Sequence, residues 1–141
     1  MQNFRADHVG SLLRTTAVKE NRNKWKSGQI TAEELRSIED AGITETVKRL
    51  EATGLKAITD GEFRRDYFHL DFLKELAGVT ITGGIEANPN AKVAVDGFTP
   101  PVLSVTGKLK HVKDIQTADF NFLQTIVSQT PKVSIPSPTM I

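Results

Sequence analysis

The sequence predicts an α/β protein with a parallel sheet. Three observations carry this. A long helical stretch is followed by one glycine and then a short apolar run, the spacing of a β–α–β unit. Three apolar runs, in "NFRADHVGSLL", "LKAITDGE" and "PKVSIPSPT", each end in polar and turn-forming residues. Between the second and third lies a β-rich excursion, so strands and helices alternate rather than segregate.

Taken in order, "NFRADHVGSLL" reads as a first short strand ending near Val9, with Gly10-Ser11 as a turn. A helical stretch from about Thr15 to Ser27 follows, and Gly28 suits its C-terminal cap. Thr31 with Glu34 three residues later is a capping-box signature. Behind it Leu35, Ile38, Ile43, Val47 and Leu50 recur at roughly helical spacing, and Gly54 ends a helix of about 22 residues. Gly42 in its middle weakens that helix slightly. Leu55 to Thr59 is a short run bounded by Gly54 and Gly61, long enough for a buried strand. A second helix is expected from about Tyr67 to Leu76.

From Gly78 to Lys110 the texture changes. Gly83-Gly84, Asn88-Pro89, Asp96-Gly97 and Pro100-Pro101 separate short β-rich runs such as "VTIT", "KVAV" and "VLSVTGKL", as in one or two inserted hairpins. Thr117 then caps a helix running to about Ser128, with Phe120, Leu123, Ile126 and Val127 inward, and "KVSI" reads as a third strand of the main sheet.

Composition narrows the function. The chain has 141 residues, 38% hydrophobic and 25% charged, with a net charge of +1. No large field would recruit nucleic acid or an anionic membrane. The cluster Lys19, Arg22, Lys24 and Lys26 reads as a solvated helix face. There is no cysteine, hence no disulfide, thiolate metal ligand or cysteine nucleophile in this stretch. The start carries charge at Arg5 with no apolar region of a signal peptide behind it. No run approaches the roughly 18 apolar residues of a membrane span, so a cytoplasmic location is expected. The apolar ending "PKVSIPSPTMI" looks like a chain cut just after a strand.

In parallel α/β folds, ligands sit beyond the carboxyl ends of the strands. "DHVGSLLR", "TDGEFRR" and "IPSPT" would all fall there. Asp60 and Glu62 lie two apart across Gly61. They would share a face if the strand continued and would be aimed independently if Gly61 makes a turn. Such carboxylates can do acid–base work, bind a metal or hold an ammonium group, or Asp60 can cap a turn while Glu62 pairs with Arg64 or Arg65. Those arginines can clamp a carboxylate or phosphate or form surface ion pairs. His8, at a strand end, fits a metal ligand, a base or a local hydrogen bond. Ser11 can bind an anion if a helix starts there, but no Gly-x-Ser-x-Gly elbow marks it as a nucleophile.

These residues carry a resemblance. "FRADHVGSLLR", "GLKAITDGEFRRDYFHLDFL" and "PKVSIPSPT" look like the methionine synthase II group, single-domain relatives of the catalytic C-terminal domain of cobalamin-independent methionine synthase. The resemblance implies a (β/α)8 barrel. A whole barrel takes about 250 residues, so this chain would be its incomplete amino-terminal part, about the first three βα units with the excursion at roughly 79–110. It further implies a zinc ion that activates homocysteine as thiolate, which takes a methyl group from methyltetrahydrofolate, usually polyglutamylated.

The family's zinc ligands, a His-x-Cys pair, a glutamate and a second cysteine, come from later strands, so no zinc is expected in this chain. By resemblance, Ser11 of Gly10-Ser11 helps hold the amino-acid substrate and Glu62 of Gly61-Glu62 binds its α-amino group. Asp60, His8, Arg14 and Arg65 line the same mouth, and Pro136-Ser137-Pro138 lies at the third. The methionine synthases proper usually have His-Gly-Glu where this chain has Asp60-Gly61-Glu62, and they lack His8 and Arg14, which leaves acceptor and donor open. The isolated chain is expected to be inactive and to self-associate, since a three-strand parallel sheet leaves an edge and a face uncovered. Two other readings stand beside this one. One is a self-contained α/β binding module with Asp60 and Glu62 simply ion-paired; the other is a barrel of the uroporphyrinogen decarboxylase type.

Overall fold

A computed structural model of the chain describes residues 6–82 and 101–141. They form two compact units, one built from the described residues up to Asp66 with Gln116–Ser134, the other from those of Tyr67–Ile115 with Ile135–Ile141.

In the first unit, α1 (Thr16–Lys26) is capped by Thr15, whose side chain accepts from the Val18 amide, and ends at Ser27. Gly28 follows at φ 73°. The expected capping box opens α2 (Ala32–Ala52): Glu34 N–H donates to Thr31 Oγ1 at 3.1 Å, and Thr31 N–H to Glu34 Oε2 at 2.8 Å. The helix is capped at Thr53, and Gly54 takes φ 88°. Its inward stripe is the one read from the spacing: Leu35, Ile43 and Val47 are buried, and Ile38 and Leu50 are partly so.

Gly42 is less a weakness than a contact surface. A Cβ there would lie 3.1 Å from Val18 Cγ2 and 3.4 Å from the Phe63 ring. Its bare backbone lets α1 and Phe63 approach α2, and a methyl would overpack that seam. Val18, Ile43, Val47, Ile58, Phe63 and Leu123 form the core.

Strand β1 (Ala57–Ile58) pairs in parallel with β4 (Thr130–Pro131), in the register Ala57↔Thr130 and Ile58↔Pro131. The bonds Thr130 N–H to Lys56 O (3.1 Å) and Lys132 N–H to Ile58 O (2.8 Å) flank the pair. Helix α4 (Thr117–Ile126) precedes β4. The α/β reading and the parallel pairing hold. The strand expected at Leu55–Thr59 shortens to two residues, and the one placed on "KVSI" moves back to Thr130–Pro131. Among the described residues each has only the other to pair with, and each strand ends where the ladder does.

The first strand expected near Val9 is not formed among residues 6–15. Val9 is 72% exposed and Gly10 turns the chain at φ 90°. Helix α4 begins after Gln116, not at a Thr117 cap, and stops at Ile126; Ser128, assigned to it from sequence, instead gives its amide and hydroxyl to Glu51 Oε1.

The second unit holds α3 (Leu70–Leu73), β2 (Ala77–Thr82), β3 (Val102–Lys110) and a 3₁₀ turn, Pro138–Met140, capped by Ser137. Helix α3 is one turn of the helix expected over Tyr67–Leu76. Strands β2 and β3 are antiparallel, as the β-rich texture implied. Their register shifts between Ala77 and Val79, at Gly78, where φ is 84° and a Cβ would sit 2.7 Å from the carbonyl oxygens of Gly107 and Lys108. The "KVAV" run and the turn signals from Gly83 to Pro100 lie outside the described residues.

Candidate functional site

The turn leaving β1 concentrates the first unit's buried polar groups. Its sequence bends it locally. Thr59 Oγ1 accepts from Gly61 N–H at 3.1 Å, and Asp60 Oδ1 accepts from Glu62 N–H at 2.9 Å, side-chain turns of the kind Thr and Asp favour. Gly61 (φ 64°) and Glu62 (φ 56°) both take left-handed backbone, so the two carboxylates are aimed independently. For Glu62 this conformation costs about 1–2 kcal/mol, and something must hold it.

The segment before α1 does so. His8 Nδ1 lies 3.2 Å from Thr59 Oγ1, Leu12 N–H donates to Gly61 O at 3.0 Å, and Ser11 Oγ donates to Glu62 Oε2 at 2.5 Å. Arg14 donates from Nε to Phe63 O and from Nη2 to Glu62 O, each at 2.9 Å, and from Nη2 also to Arg65 O. Burial, with Arg22 nearby, lowers the Arg14 pKa. The carboxylate of Glu62 is buried, and its second oxygen accepts from Arg65 Nη1 at 3.3 Å. Arg65, equally buried, gives Nη2 to Gln116 Oε1 at 3.1 Å.

A second layer fixes the turn from below. Arg22 was expected on a solvated face, yet its side chain is 13% exposed, and it donates to Glu39 and Asp66, each at 3.0 Å, and to the carbonyls of Arg64 and Arg65. Once α1 packs on α2, the long arginine stem reaches over the helix edge to acids that sequence spacing does not reveal. Arg64 pairs with Asp40 and with Asp119 (3.4 Å) and lies over the Phe122 ring at 5.0 Å. Burial raises the Glu39 pKa, opposed by Arg22 and Arg64.

The sequence-derived site residues thus fall into one assembly. His8, Ser11 and Arg14 reach across to the turn that carries Asp60, Glu62 and Arg65. Ser137 belongs to the other unit. Beside the turn opens a cleft lined by Asp60, Arg65, Gln116, Phe120, Lys132 and Val133. Lys132 Nζ donates to His8 O at 2.5 Å and to Asp7, and that hydrogen bond lowers the Asp7 pKa. Sequence reasoning missed Gln116 and Lys132. Lys132 could have been found, since it directly follows the last apolar strand residue. Gln116 could not, because nothing local marks a glutamine for left-handed backbone.

The chemistry offered is acceptance of hydrogen bonds by a fixed carboxylate. Glu62 receives one donor on each oxygen, and a carboxylate has about four acceptor positions, so acceptor capacity remains on a carboxylate that is itself buried beside the cleft and does not line it. Among the described residues, no three His, Asp or Glu side chains come together as a metal would need. No helix among them is long and apolar enough to cross a membrane.

The chain is similar to known proteins. The chain is 45% identical over 142 aligned positions to YxjH, an uncharacterized protein of Bacillus subtilis; the match covers 98% of this chain and 36% of that one. A 5-methyltetrahydropteroyltriglutamate–homocysteine methyltransferase of Candida albicans is 28% identical over 98% of the chain, which spans 17% of its length. Among solved structures, a putative vitamin-B12 independent methionine synthase from Listeria monocytogenes superposes with a TM-score of 0.76 at 41% identity, covering 97% of this chain and 37% of that one. The chain therefore spans little more than a third of the Bacillus relative's length. Residues 4–127 match the family model described as the catalytic domain of cobalamin-independent synthase, and the chain belongs to that family.

Proposed function

We propose that this chain supplies the amino-acid anchor of a methyltransferase that moves a methyl group from a methyltetrahydrofolate to a homocysteine-like thiol. One observation carries the reading: Ser11 and Glu62, residues remote in sequence, meet at 2.5 Å at the carboxyl end of a parallel strand, in a family of synthases. Glu62 accepts the substrate ammonium, and Ser11 fixes the carboxylate that does so. Asp60 and His8 shape the turn, Arg14 holds its carbonyls, and Arg65 aligns Glu62 while bordering the cleft. The anchor is the start of a (β/α)8 barrel: β1 and β4 are adjacent parallel strands, and family membership supports the remainder. Among the described residues no three His, Asp or Glu side chains gather, and the chain has no cysteine; in this reading zinc would be held by ligands from the rest of the whole protein. The chain by itself does not transfer methyl groups.

The test is methyl transfer to homocysteine by the whole protein that contains this chain, as wild type and as Glu62→Gln, with zinc content measured in both. Glutamine keeps the shape and one acceptor of Glu62 but loses its charge. Removing one partner of a buried ionic contact costs about 2–5 kcal/mol, so the homocysteine KM should rise at least about 30-fold with zinc unchanged. An unaltered KM overturns the role given to Glu62.

A further inference from the structure

Among the described residues, two that are not glycine have positive φ, Glu62 at 56° and Gln116 at 62°. They are far apart in sequence, yet one guanidinium joins their side chains: Arg65 donates to Glu62 Oε1 (3.3 Å) and to Gln116 Oε1 (3.1 Å). An arginine can only donate, so the amide oxygen of Gln116 must be the atom that faces it. The Arg65 side chain is 7% exposed, so water is a poor substitute for either acceptor.

Glycine at 116 would adopt this backbone without strain. Glutamine is strained there, and its side chain makes no capping bond to α4. What the glutamine gains is its bond to Arg65. Strain kept at two points joined by one buried group is a mark of preorganisation.

We infer that Gln116 is a positioning residue: by holding one arm of Arg65, it fixes the other arm on Glu62 and so sets the direction of the carboxylate. The inference rests on Glu62 as the ammonium anchor. Gln116 touches no substrate in this scheme and acts only through Arg65.

The test is calorimetric titration of the whole protein that contains this chain with homocysteine and with 4-sulfanylbutanoate, which lacks the amino group. Wild type should prefer homocysteine. Gln116→Gly should keep or raise Tm while weakening homocysteine on the order of tenfold, about one lost buried hydrogen bond, and should leave 4-sulfanylbutanoate unchanged. Gln116→Glu keeps an acceptor for Arg65 and should lose less. Unchanged homocysteine affinity in Gln116→Gly overturns the inference, as does equal loss for both ligands, because only the ammonium is read by Glu62. No preference in wild type overturns the anchor reading itself, and this inference with it.

Discussion

The β1 turn and the β2–β3 hairpin invert the usual rule in opposite senses. Around the turn, charged groups go inside: Glu39, Glu62 and Arg65 are among the buried residues. Their partners come from three separate stretches of chain, residues 8–22, α2 and the start of α4. In the hairpin, apolar groups stay outside: Val102, Val105 and Leu109 are 40–49% exposed on a ladder held by its own backbone. Strand alternation puts Val79, Ile81, Leu103 and Val105 on one face. A two-stranded hairpin is marginal alone. The contrast separates two kinds of stability. The turn is fixed by complementary charges that must all be present at once, whereas the hairpin depends on local backbone pairing.

The largest effect should come from breaking the turn's ionic base. Glu39→Ala leaves Arg22 and Arg64 without their shared acid, and loss of one member of a buried network costs about 3–5 kcal/mol. Urea denaturation should show it, and hydrogen exchange should show the hairpin amides unaffected. A smaller loss, about 1–3 kcal/mol, is expected for Gly78→Ala, since alanine would be strained at φ 84° and its Cβ would meet two carbonyl oxygens at 2.7 Å. Here hairpin protection should fall while the turn stays protected. Equal loss in both regions would merge what the comparison separates.

Acid should act on the turn with a defined sign. Burial raises the Glu39 pKa above the ordinary 4.5, so the folded state binds its proton more tightly than the unfolded state does. Stability from this group is therefore greatest below the unfolded pKa and is lost as pH rises through the folded one. Wild type should gain on a Glu39→Gln variant as the pH drops through that window, read as the difference in denaturation midpoints. The smallest effect on stability belongs to Val105→Lys. At 49% exposure it should shift stability by no more than about 0.5 kcal/mol. Urea denaturation of the two forms reads the difference.

Legibility followed the range of the interactions. The capping box at Thr31 and Glu34, the α2 stripe, and the stops at Gly28 and Gly54 were readable because each is settled within a few residues. Ser11, Glu62, Asp60, His8, Arg14 and Arg65 were singled out from motifs, and the structure gathers them into one assembly. Their partners were not readable. Arg22 looked solvated and is nearly buried, because its acids stand on α2 and just past the turn. Gly42 looked like a flaw in a helix because Val18 and Phe63, which press on it, lie on other segments. Strand lengths at β1 and β4 were overestimated, since a strand extends only as far as its neighbour does.

The sequence alone determined the α/β pattern, the ends of α1 and α2 and the family resemblance, because these rest on local conformational preference and on motifs. Tertiary structure decided that Ser11 meets Glu62, that Arg14 and Arg22 take up the turn's carbonyls, and that Arg65 joins two strained residues. Apart from Arg65 to Glu62, three positions away, those are contacts between groups 42 to 51 positions apart. Their energies arise only when packing brings opposite charges together away from water, where an unpaired charge is costly and a paired one is held in place.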